Sequence, residues 1–299
     1  MNQPAALPAA FFGHGNPMNT FARNRYTQAW REFGEVMPRP RAVLAISAHW
    51  YINGTAVTAM ARPRTIHDFF GFPRELFEYE YPAAGAPDVA EEVAEAVKPV
   101  YVGLDREAWG LDHGTWSVLA HVLPRADIPV LQLSIHGSQD ARYHLELGAR
   151  LEPLRRRGIL VLASGNVVHN LRRVDWQRPE AAFDWAVRFD EAVRKVMTTD
   201  PARVVDLEAH PDFPLAAPTA EHWLPLLYIA GLAHAAGKHA SILTDGYDMG
   251  SLSMTSYGVD APPMRSAGAG GPVPFPDPRD IPSDDTNTWP GDAPRGRTP

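Results

Sequence analysis

Apolar residues along this chain fall into short runs separated by longer amphipathic stretches. Ala42-Val43-Leu44-Ala45-Ile46-Ser47 reads as a buried strand, as do Val130-Leu131-Gln132-Leu133-Ser134-Ile135 and Ile159-Leu160-Val161-Leu162-Ala163. Thr55 to Met60 alternates and is expected to neighbour the first run. Ser241-Ile242-Leu243-Thr244 is a late strand, and Leu7–Phe12 has strand character too. Helical spacing covers 20–36, 87–98, 115–123, 140–157, 180–198 and 224–236. The alternation predicts an α/β fold: a single domain with a central, mostly parallel sheet flanked by helices. No apolar run reaches the ~18 residues of a membrane span.

The pattern stops near residue 261. Residues 262–299 hold 10 of the 29 prolines and open with Gly268, Gly270 and Gly271. Such a segment buries too little surface to offset its ordering entropy. The expectation is therefore one compact domain over 1–261 and an irregular or disordered tail over 262–299, whose stretch 272–282 suits an extended polyproline form.

Composition narrows the chemistry. The 299 residues include no cysteine and 12 histidines. A disulfide scaffold, a Cys-ligated zinc finger, an iron–sulfur cluster and a thiol nucleophile are excluded, so any metal is held by His, Asp or Glu. With 28 basic and 35 acidic residues the net charge is −7, which lacks the basic footprint of a nucleic-acid binder. The run Arg155-Arg156-Arg157 closes a helical stretch, where positive charge suits the helix end. The segment Met1–Phe12 carries no Lys or Arg and makes a poor signal peptide, so a cytoplasmic location is expected.

The histidines are not scattered evenly. In open α/β sheets, ligands bind beyond the carboxyl ends of strands. His14 follows an apolar run within Phe12-Gly13-His14-Gly15-Asn16-Pro17-Met18, His49 follows strand 42–47 in Ser47-Ala48-His49-Trp50, and His169 follows strand 159–163 in Ser164-Gly165-Asn166-Val167-Val168-His169-Asn170. His113 stands in Leu111-Asp112-His113-Gly114-Thr115-Trp116, with Thr115 the expected helix N-cap, and Glu221-His222 leads into an apolar helix. Five histidines at strand ends or helix starts suit metal and acid/base chemistry in one cleft at the strand ends. His67, in His67-Asp68-Phe69-Phe70-Gly71-Phe72, and His136 are intermediate. His121, His144, His210, His234 and His239 suit structural or surface positions.

Taken in order, Gly-His-Gly-Asn-Pro-Met at 13–18, Ser-Ala-His-Trp at 47–50, Ile-His-Asp-Phe at 66–69, Leu-Asp-His-Gly-Thr-Trp at 111–116, Gly-Asn-Val-Val-His-Asn-Leu at 165–171 and Glu-His-Trp-Leu-Pro-Leu at 221–226 resemble the class III extradiol ring-cleavage dioxygenases, in their 4,5-DOPA extradiol branch. The likeness spans about residues 10–257. It implies a single α/β domain with one non-haem divalent metal, Fe(II) for activity with Zn(II) also able to bind, O2 as co-substrate and a small catechol as substrate. Carried over, His14, His49 and His222 would be the metal ligands. Glu221 is the alternative third ligand, since relatives place a Glu there. His169 would be the general base on a catechol hydroxyl, and His113 would assist proton delivery and orient the substrate. Position 16 is Asn where the family often has Ser, and the tail lies beyond the family's usual end. Trp50, Trp116 and Trp223 are candidate aromatic walls. A zinc-dependent hydrolase of a small phenolic compound is the alternative reading. A non-catalytic scaffold working through the tail is a third.

Overall fold

A computed structural model of the chain describes residues 5–175, 177, 180–264, 270–273, 276 and 281. Eight strands build the main sheet: β1 (Ala9–Gly13), β2 (Ala42–Ile52), β3 (Ala56–Thr58), β4 (Gly103–Asp105), β5 (Val130–His136), β6 (Ile159–Gly165), β7 (Ser241–Thr244) and β8 (Ser256–Val259). Their order is β4-β3-β5-β2-β6-β1-β8-β7. The central strands β5, β2, β6 and β1 are mutually parallel, while β3 meets β5, and β8 meets β1 and β7, antiparallel. The expected α/β fold with a central, mostly parallel sheet is what the chain adopts.

Alternation along each strand feeds two cores. Ala9 and Phe11, Leu44 and Ile46, and Val161 and Ala163 face one layer, and Ala10 and Phe12, Val43 and Ala45, and Leu160 and Leu162 face the other. The first layer is covered by α2 (Pro87–Ala96), α4 (Ala141–Arg156), α5 (Asp184–Thr199) and α6 (Leu224–Ala235). The second is covered by α1 (Arg25–Val36) and α3 (His113–Val122). Central strands are buried on both faces, which is why they read as unbroken apolar runs.

Several expectations are corrected. Thr55–Met60 contains β3, but its neighbour is β5, which lies between it and β2; Val57 pairs with Leu133. The helix expected over 20–36 begins at Arg25, because Asn24 caps it, accepting from the N–H groups of Tyr26 and Thr27. The N-cap of α3 is Asp112 and not Thr115: Asp112 accepts from the Thr115 N–H at 3.1 Å, which draws His113 into the first helical turn. Arg155 lies in the last turn of α4 as its charge suggested, yet it is buried, donating to the Leu7 carbonyl at 2.6 Å and to Asp260 at 2.7 Å. Most of the tail 262–299, expected to be irregular or disordered, lies outside the described residues. Within it, the Gly270 carbonyl accepts from Arg25 N–H at 3.4 Å.

Backbone-to-backbone helix packing sets the depth of one layer. In α6, a Cβ on Gly231 would stand 1.9 Å from the Leu145 carbonyl oxygen of α4; in return, a Cβ on Gly148 would stand 2.3 Å from that of Tyr228. Backbone here meets backbone, so neither contact can yield by a side-chain rotation. G231A is expected to lower stability by about 1–3 kcal/mol in urea denaturation, as overpacked sites do.

Candidate metal centre

The parallel strands bring their carboxyl ends together at one edge of the sheet. Register pairs Phe12 with Ser164 and Ser47 with Ser164, so β1, β2 and β6 end side by side. His14 follows β1 directly. In β2 the chain runs from Ile46 to Tyr51 while its partner advances only from Leu133 to Ile135, and this bulge carries His49. His113 enters from the start of α3, His169 from the loop after β6 and His222 from the turn before α6. Gly15, at φ +57, turns the chain away beneath His14. Gly114 is small because a Cβ there would lie 2.8 Å from the His49 ring.

All five histidines predicted for the site line one cavity of about 350 Å³. Ring centroids of His14 lie 5.2 Å from His49, 5.8 Å from His113 and 5.3 Å from His222, and those of His49 and His222 are 5.1 Å apart. By ligand-atom spacing, His14, His49 and His113 form one group within 4.8 Å, and His169, Glu221 and His222 form a second. His169 and His222 stack at 3.5 Å with their planes 5° apart. Glu221 accepts from the Thr219 hydroxyl at 2.6 Å, 3.4 Å from His222 Nδ1, and does not line the cavity.

Burial governs the charge of these rings. Desolvation, followed by the neighbouring histidines, holds His14 and His222 well below the ordinary histidine value. Desolvation likewise lowers His113, and it lowers His169 to about 4, with His49 adding to the effect. His49 differs: burial opposes its charge, but the Asp68 carboxylate outweighs that and raises it. Asp68 is itself held well below the usual carboxylate range; burial opposes this, and His113 and His49 overcome it.

The family called "Catalytic LigB subunit of aromatic ring-opening dioxygenase" matches residues 15–260. The chain belongs to this family. It is 47% identical over 257 residues to an Escherichia coli (strain K12) protein named 4,5-DOPA dioxygenase extradiol, covering 85% of this chain and 94% of that one. A Beta vulgaris protein of the same name is 33% identical over 258 residues, covering 83% and 94%. The solved structure of uncharacterized protein JW3007 from Escherichia coli K12 superposes with a TM-score of 0.75 at 43% identity, covering 85% of this chain and 99% of that one.

A family whose chemistry implies a non-haem metal invites a test of fit. Ser164 gives its one hydroxyl proton to the Gly114 carbonyl at 2.6 Å, so at 2.9 Å from His14 Nδ1 it can only accept. His14 is therefore Nδ1–H, and its Nε2 carries a lone pair. Asp68 accepts from His49 Nδ1 at 2.9 Å, and His49 Nε2 faces His14 Nε2 at 3.4 Å. Two lone pairs at that range repel unless a proton or a cation lies between them. Two nitrogens bound to one divalent cation at bonds near 2.1 Å lie about 3.4 Å apart. The buried, largely neutral imidazoles fit such a cation.

Sequence reading missed part of this LigB-family site. Asp68 stands in the motif Ile-His-Asp-Phe without a role that the sequence assigns, yet it accepts from both His49 and His113, the latter also at 2.9 Å. His67 itself turns away, bonding the Tyr79 carbonyl at 2.9 Å, and His136 bonds Ser138. The expected tryptophan walls are corrected. Trp50 stacks on Trp109, Trp116 lies behind Phe69, and Trp223 packs on Phe189 and Phe213. Phe69, Phe70, Phe72, Leu171, Met249 and Leu252 form the apolar walls. Met249 and Leu252 come from a small hairpin pairing Tyr247–Asp248 with Leu252–Ser253.

That hairpin carries a buried carboxyl. Among the described residues Asp248 Oδ1 has no hydrogen-bond partner, and burial pushes its pKa from the ordinary 3.8 up to about 7. The neutral form is therefore the one the fold tolerates. Its stabilising effect is complete below about pH 4 and is lost as pH rises through about 7, because the unfolded chain ionises earlier. D248N is expected to abolish this loss. Its stability should exceed that of the parent by about 2–4 kcal/mol at pH 8 and fall back towards the parent value as pH drops to 5, read from denaturation at both pH values.

Proposed function

We propose that this chain is an extradiol ring-cleavage dioxygenase acting on a catechol of the 4,5-DOPA kind, with His14, His49 and His222 holding a non-haem divalent metal. The observation that carries the reading is the pair of Nε2 nitrogens of His14 and His49 facing one another at 3.4 Å in the cavity, the spacing of two nitrogens on one divalent cation. Ferrous iron, when bound, supplies the redox chemistry that lets a catechol react with O2; zinc, which the same nitrogens suit, has none. The catalytic unit is residues 1–261, in keeping with a family match ending at 260. A cytoplasmic location suits it, since that compartment is reducing.

His222 is favoured over Glu221 as third ligand because its ring faces the cavity, whereas the Glu221 carboxylate is engaged by Thr219. His169 is kept apart from His222 in role. Parallel rings 3.5 Å apart cannot both hold one cation in their planes, so only one of the two serves as ligand. His169 is left free to accept the proton of a catechol hydroxyl, and burial keeps it neutral and ready at pH 7. His113, held by Asp68 beside His49 at a centroid distance of 3.9 Å, orients the substrate and hands on a proton. Phe69, Phe70 and Phe72 give the substrate ring an apolar wall and exclude water from it.

Two measurements test these roles. His14→Ala is expected to lose bound metal by elemental analysis, and His169→Ala to keep the metal while losing about 10²–10⁴-fold in turnover. Metal content unchanged in His14→Ala overturns the ligand set. Protein reconstituted anaerobically with Fe(II) is expected to consume O2 on addition of L-DOPA or another catechol and to form a yellow ring-opened product. No uptake across a catechol panel overturns the dioxygenase reading and leaves the zinc hydrolase.

A further inference from the structure

We propose that Asp68 is the positioning residue that sets the ring tautomers of His49 and His113 together, so that one loop carboxylate fixes both the cation-facing nitrogen and the proton-handling nitrogen. The inference deepens the metal reading above and rests on it. Asp68 Oδ2 accepts from His49 Nδ1 at 2.9 Å; Oδ1 accepts from His113 Nδ1 at 2.9 Å and from the His113 main-chain N–H at 3.1 Å. An ionised carboxylate only accepts, so both rings must present Nδ1–H to it, and each ring when neutral then carries its lone pair on Nε2.

The two oxygens are not equivalent, and this asymmetry makes the role testable. An asparagine at 68 has one acceptor oxygen and one NH2 donor. The main-chain N–H of His113 cannot become an acceptor, so the asparagine oxygen must stay on the His113 side and the NH2 must fall against His49. His49 Nδ1 then has to accept, which moves its proton to Nε2, the nitrogen that faces His14 at 3.4 Å. The near-isosteric change Asp68→Asn therefore turns a cation-binding nitrogen into an N–H and leaves His113 as it was. Partners of ligating histidines fix the ring this way in metal sites generally, and losing one weakens binding about 10- to 100-fold.

The experiment is long-range ¹⁵N–¹H correlation of the imidazole rings in the metal-free protein at pH 8.5, with Zn²⁺ affinity measured by competition against a chromophoric chelator. In the parent, His49 and His113 are expected as Nδ1–H tautomers. In Asp68→Asn, His49 is expected to switch to Nε2–H while His113 and His14 keep theirs, and Zn²⁺ is expected to bind about 10- to 100-fold more weakly. A His49 ring that stays Nδ1–H in the variant, or an unchanged Zn²⁺ affinity, overturns the proposal. Should the variant fail to fold, the parent decides: an Nε2–H tautomer at either His49 or His113 refutes it, and Nδ1–H at both supports it. The ring tautomers are read without metal or turnover, so a failed ligand assignment, seen as metal retained in His14→Ala, is told apart from a failure at Asp68.

Discussion

The site depends on two imidazole nitrogens, Nε2 of His14 and of His49, held 3.4 Å apart where water cannot separate them. Nothing in the rings themselves produces that arrangement. It comes from their far sides, where Ser164 accepts from His14 and Asp68 accepts from His49. Each of these acceptors is constrained in turn. Ser164 has spent its only proton on the Gly114 carbonyl, and Asp68 is pinned by the His113 main chain. The frame thus runs from β6 through the start of α3 to the loop at 66–72, and the histidines hang from it.

The sheet makes this frame possible by register. Ser164 can reach His14 because β6 lies beside β1, and it sits next to Ser47 because β6 also lies beside β2. The bulge in β2 then lifts His49 out of the pairing pattern and into the cavity. A strand kept in strict alternation would have to send either His49 or its neighbours into the core, since successive side chains point to opposite faces. The glycine at 114 belongs to the same solution: its missing side chain is the space the His49 ring fills.

How much of this was legible in the chain divides along physical lines. The strands at 42, 130 and 159 announced themselves because burial on both faces leaves unbroken apolar runs. The five site histidines were legible because each follows a strand or opens a helix. Asp68 was not, because its significance is wholly three-dimensional: it lies far along the chain from both rings it holds, in a loop without periodicity. Thr115 and Asp112 both have N-cap chemistry, and only the observed bond at 3.1 Å decides between them. The tryptophans misled for a related reason. Large aromatic side chains next to site residues are as well suited to packing behind a site as to lining it, and Trp116 backs Phe69 while the phenylalanines meet the cavity. The helix-end charge of Arg155 is legible in the sequence; its buried bonds to Leu7 and Asp260 depend on distant segments that meet only in the fold.

The cavity joins a floor of imidazoles to walls of Phe, Leu and Met, and the two halves serve each other. Apolar walls exclude water, and exclusion of water is the first cause of the lowered pKa values at His14, His113, His169 and His222. A ring that stays neutral at pH 7 is both a competent ligand and a competent proton acceptor. The same walls suit a flat aromatic substrate, which brings its own apolar faces and two polar hydroxyls. Aromatic specificity and the neutrality of the histidines are then two consequences of one desolvated volume, and a charged residue placed in the walls would erode both at once.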